Sequence, residues 1–156
     1  MSVTVTGGAT ANGGFEIDSQ PDTNQTCQGV LATVTSGQDS ITFGMALSLD
    51  SDGTYIAANG NSTGVLPARA IACQAADDTD AVEVLLQGFI RDDSWDFTGD
   101  INKDIVLDET AGAWVLADGS IPADTGDIIQ IIGHVTLTGA TEIFYFNPQP
   151  VYSVLE

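Results

Sequence analysis

The chain has 156 residues, of which 43% are hydrophobic, and its 22 acidic residues against 3 basic ones give a formal net charge of −19. So few Lys and Arg residues exclude ordinary nucleic-acid binding, which needs them to neutralise phosphates, and argue against an anionic membrane surface. The length and the hydrophobic content suit one folded domain. A charge of this size favours solubility, and the partners it suits are a basic surface or a divalent cation.

The first 29 residues differ in composition from the rest. "SVTVT" at 2–6 can form a short strand, but the polar, glycine-rich remainder has only Phe15 and Ile17 as apolar anchors. Such a segment does not build a core of its own. We therefore predict an N-terminal arm over residues 1–29 and one β-domain over residues 30–156. If the arm orders on a neighbouring protein, Phe15 and Ile17 are its interface candidates.

The rest of the chain predicts an all-β fold, a small antiparallel β-sandwich or barrel. Thr, Val, Ile and Gly dominate, and short apolar runs recur about every 8–12 residues between turn signals. Gly88, inside the apolar run 81–91, predicts a bulge or a close approach of two backbones. Residues 68–78 are the one candidate for a short helix. The predicted strands cover 30–35, 41–49, 54–58, 81–91, 105–107, 113–117, 127–138, 142–148 and 151–155.

The two cysteines, Cys27 and Cys73, can form a disulfide or remain free. The N-terminus lacks the basic residues and the apolar run of a signal peptide, so we expect synthesis and use without secretion. A chain that is not secreted more often keeps buried free thiols, which is our expectation here. For the same reason the glycosylation sequons that begin at Asn24 and Asn61 carry no weight.

Residues suited to catalysis are few. His134 is the only histidine and lies in an apolar strand, which favours a structural role. There is no nucleophile elbow, no P-loop and no dinucleotide-binding motif. One histidine and two cysteines at scattered positions argue against zinc. We therefore expect neither an enzyme nor a cofactor.

One segment invites a calcium interpretation. Asp100, Asn102 and Asp104 stand at alternate positions, as ligands 1, 3 and 5 do in the helix–loop–helix calcium loop. The pattern then fails, because position 6 is Ile105 instead of glycine and position 12 is Ala111 instead of glutamate. The three residues remain weak calcium candidates.

The segment just before it predicts a structural corner. Arg91 stands beside Asp92 and Asp93 and is the best candidate for an ion pair among the few basic residues. Trp95 and Phe97 alternate, so in an extended segment they share one face. Core packing is the simpler explanation of that face. The alternative is that these rings anchor a contact with another chain.

Residues 84–156 carry a further set of motifs: Gly88, Arg91, Asp93, Trp95, Phe97 and Thr98, then Gly112, Gly126-Asp127, Gln130, Gly133 and Tyr145-Phe146-Asn147-Pro148. In this order they resemble a small β-domain of tailed-bacteriophage virion proteins. Residues 41–59 match that domain more loosely, and residues 1–29 do not match it.

This resemblance implies a function and a location, but it provides no active-site residues. It implies a capsid decoration (cement) protein that binds the major capsid protein on the outer capsid surface, often as a homotrimer. Such a protein is made in the host cytoplasm and resides on the virion. The alternative is a host-recognition or carbohydrate-binding module of a fibre or tail.

Overall fold

A computed structural model describes residues 20–118 and 121–156, and these contain eleven strands and no helix. The predicted all-β class is therefore confirmed. None of the described residues belongs to a helix that could span a membrane. Phe15, Ile17 and the greater part of the predicted arm lie outside the described residues.

The strands keep the order of the sequence prediction, with different bounds. β1 begins four residues before the predicted domain boundary, so residues 26–29 belong to the sheet. The strands are β1 Thr26–Thr35, β2 Ala46–Leu49, β3 Tyr55–Ala57, β4 Ala70–Ala72, β5 Ala81–Arg91, β6 Asp104–Leu107, β7 Trp114–Leu116, β8 Ile128–Ile129, β9 Ile131–Leu137, β10 Ile143–Phe146 and β11 Ser153–Val154.

Nine of these strands form one curled antiparallel sheet that resembles half of a barrel. Its order is β3-β2-β4-β5-β10-β9-β6-β7, and β1 pairs with β5 along the full length of β1. The remaining two strands, β8 and β11, pair with each other. β5 is the centre of the sheet, because β1, β4 and β10 all pair with it.

Two cores lie on opposite faces of β2, β4 and β5, since neighbouring residues of these strands enter different cores. The aromatic core contains Phe97, Phe144, Phe146 and several isoleucines and leucines, among them Ile71 and Leu85. The small-residue core consists of Ile41, Leu47, Ala70, Ala72, Ala76, Val82 and Val84. Both faces of this part of the sheet are therefore covered, which explains why β4 is buried at every residue.

A pair of glycines lets β1 and β5 approach closely. Gly29 lies opposite Gly88, with φ values of 150° and 144°. A Cβ on Gly88 would lie 2.7 Å from the Cα of Gly29, closer than real Cβ atoms come to a backbone. Of the two roles predicted for Gly88, the structure shows the close approach.

Two predictions about local structure are wrong. Within the short-helix candidate 68–78, residues Ala70–Ala72 form β4, because alternate side chains enter opposite cores: Ile71 the aromatic core, and Ala70 and Ala72 the small-residue core. The single strand predicted over 127–138 is divided at Gln130. The side chain of the buried Gln130 accepts a hydrogen bond from the Ala68 N–H at 2.7 Å. It donates to the carbonyl oxygens of Ala68 and Gln149 at 3.0 and 2.8 Å. It therefore joins three chain segments.

The expectation of free thiols is also wrong, because Cys27 and Cys73 form a disulfide. The bond joins β1 to the residue after β4, with a Cα–Cα distance of 5.9 Å. Both side chains pack against the aromatic core. The sequence did not reveal this pairing because the expectation depended on the compartment and not on the distance between the strands.

Candidate functional site

The first described residues are fixed to the domain by a cluster of polar contacts that we call the arm clamp: residues 20–25, Arg91, Asp92 and Asp93. Arg91 donates from Nε and Nη2 to both carboxylate oxygens of Asp93, at 2.8 and 2.7 Å. Its Nη1 donates to the carbonyl oxygens of Pro21 and Asp22, at 3.3 and 2.8 Å. Arg91 thus joins the corner after β5 to the chain before β1.

The clamp also includes amide side chains of the arm. The Asp93 N–H donates to Asn24 Oδ1 at 2.7 Å, and Gln25 Nε2 donates to Asp92 Oδ2 at 3.3 Å. Hydrogen bonding to the Arg91 guanidinium lowers the pKa of the Asp93 carboxyl. Sequence analysis identified the ion pair of Arg91 but not its contacts with residues 20–25, which have no local signature.

Trp95 and Phe97 lie on the same side of the corner, as predicted, and both contribute to the aromatic core. Phe97 is buried and its ring lies 5.8 Å from that of Trp95. Trp95 is half-buried, and its ring packs at 5.0 Å from Trp114 and 5.4 Å from Phe144. Trp95 is therefore a core residue with one exposed margin.

That margin lies in a shallow, open surface depression of about 410 Å³, here called the aromatic depression, lined by Thr42, Phe43, Gly44, Met45, Trp95, Ala111, Gly112, Ala113 and Trp114. Gly44, with φ 80°, lets Trp95 approach, because a Cβ there would lie 3.0 Å from Trp95 Cζ2. The Trp114 indole N–H donates to the Gly44 carbonyl at 2.9 Å. The depression thus presents ring surface and few polar side chains.

A second surface, the half-buried aromatic strip, crosses three strands on the side opposite the aromatic core. It consists of Phe89 of β5, Tyr145 of β10 and His134 of β9, which lie in register. The Tyr145 ring is 4.9 Å from that of Phe89 and 5.7 Å from that of His134. Gln87 Nε2 donates to the Tyr145 hydroxyl at 2.9 Å. His134 therefore packs against Tyr145, and the structural role expected of it stays a prediction.

The three calcium candidates do not form a calcium loop. The Asp100 carboxylate is paired with the ammonium of Lys103. Asn102 is exposed in a turn with φ 67°. Asp104 is part of β6, where it lies opposite His134. The alternate spacing therefore reflects a turn that leads into a strand.

The described residues contain a different set of clustered carboxylates, the carboxylate cluster of Glu109, Asp124 and Asp127, whose oxygens lie within 4.8 Å of one another. Asp127 is fully buried. Its two oxygens accept the N–H groups of Ser62 and Asp124, at 2.8 and 2.9 Å. Oxygen ligands of this kind suit Ca²⁺. The existing hydrogen bonds already give the cluster a structural role, since they tie three loops together.

Two members of the cluster, Glu109 and Asp127, have pKa values that are shifted in opposite directions. The Ala123 N–H that donates to Glu109 favours its ionised form, but burial and the charges of Asp127 and Asp124 outweigh this and raise the pKa of Glu109. Burial also acts on Asp127, yet the N–H groups of Ser62 and Asp124 lower its pKa below the usual value. Of these two carboxyl groups, Glu109 therefore holds a proton more readily than Asp127.

Sequence analysis did not identify the carboxylate cluster, because Glu109 lies 15 positions before Asp124 and the members lie in loops rich in other acids. The aromatic strip also has no sequence signature beyond the alternation of Tyr145 with buried Phe144 and Phe146. No family model, curated protein or solved structure matches this chain. The site must therefore be interpreted from its own geometry.

Proposed function

We propose that this chain is a structural virion protein, a capsid decoration protein that binds the major capsid protein on the outer surface of a bacteriophage capsid. The arm clamp is the observation that carries the proposal. Its hydrogen bonds tie residues 21–25, the base of the predicted arm, to the corner after β5. An arm with a fixed base can contact a neighbour at a defined place on a lattice.

Two further features support this role. The net charge of −19 keeps the protein soluble before it docks, and it suits a capsid surface that presents basic groups. The disulfide between Cys27 and Cys73 suits an exposed virion surface, an environment in which disulfides persist. The mechanism is mass action, because a protein that binds only the assembled lattice stabilises that lattice.

The test is co-sedimentation with capsids that lack this protein, combined with the temperature at which those capsids disrupt. The full chain should bind and raise that temperature, whereas a chain without residues 1–19 should keep its own melting temperature and lose binding. Arg91→Met should weaken binding because it releases the base of the arm. Arg69→Met is the matched control, since Arg69 is exposed and makes no ion pair with the described residues.

Two results would contradict the proposal in different ways. If the full chain neither binds capsids nor changes their heat resistance, the decoration role is wrong. If the shortened chain binds as tightly as the full chain, the arm is not the contact. In that case the aromatic strip becomes the surface to test next.

The aromatic depression favours a second candidate function, a carbohydrate-binding module of a fibre or tail. Indole and phenyl faces stack on sugar rings, and a shallow open site suits a surface glycan. The net charge of −19 favours neutral sugars over acidic ones. Neutral oligosaccharides should then change the tryptophan fluorescence, and Phe43→Ala should abolish that change while Leu49→Ala should not. An unchanged spectrum across a glycan panel would exclude this candidate.

A further inference from the structure

We infer that two copies of this chain pair through β1, edge to edge about a two-fold axis. The first observation is the position of β1 in the sheet. All ten of its residues pair with β5, and no strand within residues 20–118 and 121–156 pairs with its other side. That side presents a row of N–H and C=O groups, which can form hydrogen bonds with another strand.

The second observation is that β1 lacks the charges and prolines that usually protect an exposed edge, although its pairing with β5 is irregular between Val30 and Leu31. Natural edge strands carry lysine, proline or inward-pointing charges, which prevent edge-to-edge pairing. The sequence of β1, TCQGVLATVT, has no charged residue and no proline. It does have two exposed apolar side chains at its centre, Val30 and Leu31, which are 56% and 41% exposed.

Charge selects a second copy as the partner. Two chains that each carry −19 repel one another, so their contact must at least be free of acids. In a two-fold contact the same surface occurs on both sides, so any acid in β1 would meet its own equivalent. β1 has none. A basic partner, by contrast, would find nothing on this strand to match its charge.

The order of side chains along β1 also fits a two-fold contact. A two-fold axis through the middle of the strand places Val30 and Leu31 of both copies beside the axis. The uncharged polar residues Thr26, Gln28, Thr33 and Thr35 then lie towards the two ends. An apolar centre with a polar rim is the usual arrangement of a protein interface.

The fold holds β1 in place before any partner arrives. The disulfide fixes Cys27 to Cys73, and the Gly29–Gly88 contact brings the strand close to β5. A strand that is already ordered loses little conformational entropy when it pairs. This inference does not depend on the capsid role, because pairing of free chains is measured without capsids.

The test is sedimentation velocity of the full chain over a range of concentrations in about 0.15 M salt, where repulsion between exposed charges is partly screened. The wild type should form a species of twice the single-chain mass. Val30→Glu together with Leu31→Glu should raise the dissociation constant by at least about tenfold, because it places like charges beside the axis. Leu49→Glu together with Ile101→Glu is the control. It adds the same charge at side chains that are 50% and 61% exposed, and the dissociation constant should change by less than about threefold.

A second measurement needs no variant and so cannot be confused with unfolding. Amide hydrogen exchange of β1 should slow as the concentration of the wild type rises, while exchange of the exposed β2–β3 turn should not. A chain that stays single at all concentrations would overturn the inference. So would a trimer, the state that the virion resemblance implies, or a control variant that weakens association as much as the β1 variant does.

Discussion

The two cores differ in how they fill space, although they share β2, β4 and β5. The aromatic core is built from large rings and branched side chains, and the rings of Trp95, Trp114 and Phe144 contact one another. The buried residues of the small-residue core include no ring, and three of its seven are alanines, Ala70, Ala72 and Ala76, whereas alanines are three of the fourteen in the aromatic core. The first core is therefore expected to be sensitive to loss of volume, and the second to gain of volume.

The largest expected effect is the loss of a ring from the aromatic core. Phe144→Ala should lower the free energy of unfolding by about 3–5 kcal/mol, because the surrounding rings cannot fill the cavity. Trp95→Ala should cost less than Phe144→Ala, since one margin of Trp95 is exposed. Chemical denaturation measures both. Tyr145→Ala, on the opposite face, is the control, and a loss there equal to that of Phe144→Ala would break the comparison.

Removal of the disulfide tests what holds β1 to the aromatic core. Cys27→Ser together with Cys73→Ser should lower stability by up to about 4 kcal/mol, the value that loop entropy predicts for a separation of 46 residues. The measurement is the melting temperature with and without a reductant. The reductant should lower the wild-type value and leave the variant unchanged. A wild type insensitive to reductant after complete reduction of the bond would contradict this.

Added volume tests the small-residue core. Ala70→Leu should cost about 1–3 kcal/mol, because β4 is covered on both faces and its neighbours must shift. Ala81→Leu provides the control, as Ala81 is exposed at the start of β5. Urea titration of the two variants gives the difference. Equal stability of the two variants would mean that the small-residue core has unfilled space.

The smallest effect concerns the carboxylate cluster, and its size depends on pH. The raised pKa of Glu109 means that its protonated form suits the folded state, so its contribution is fully present below the unfolded pKa and is lost as pH rises through the folded pKa. Glu109→Gln should therefore raise the melting temperature at pH 7 more than at pH 4.

At the arm clamp, Asp93→Asn should lower the melting temperature, and the loss should be larger at pH 7 than at pH 4. The pKa of Asp93 is lowered in the folded state, so its contribution is present above the unfolded pKa and lost as pH falls through the folded pKa.

The fold class and the approximate positions of most strands followed from local signals in the sequence. The apolar run 81–91 predicted β5 with its observed bounds, Ala81–Arg91. Phe144 and Phe146 are buried and Tyr145 between them is not, the alternation that is typical of a strand with one covered face. Such signals act within a few residues, and the sequence displays them directly.

The features that escaped prediction depend on contacts between distant segments. β4 was mistaken for a possible helix because alanine favours helices, and only the presence of two cores explains its strand. The disulfide and the carboxylate cluster require knowledge of which loops meet. The contacts of Arg91 with Pro21 and Asp22 span about 70 positions, and neither segment contains a local pattern that predicts the contact.

The central position of β5 has a consequence for the order in which the protein folds during synthesis. Its partners come from residues 26–35, 70–72 and 143–146, so one of them leaves the ribosome more than 50 residues after β5 ends. Until β10 arrives, the half of β5 near Arg91 lacks a partner on one side, and the ring of Phe144 is missing from the aromatic core. Pairings over such separations are slow to form. The incomplete chain therefore exposes apolar surface and an open strand edge until β10 has been synthesised and has paired with β5.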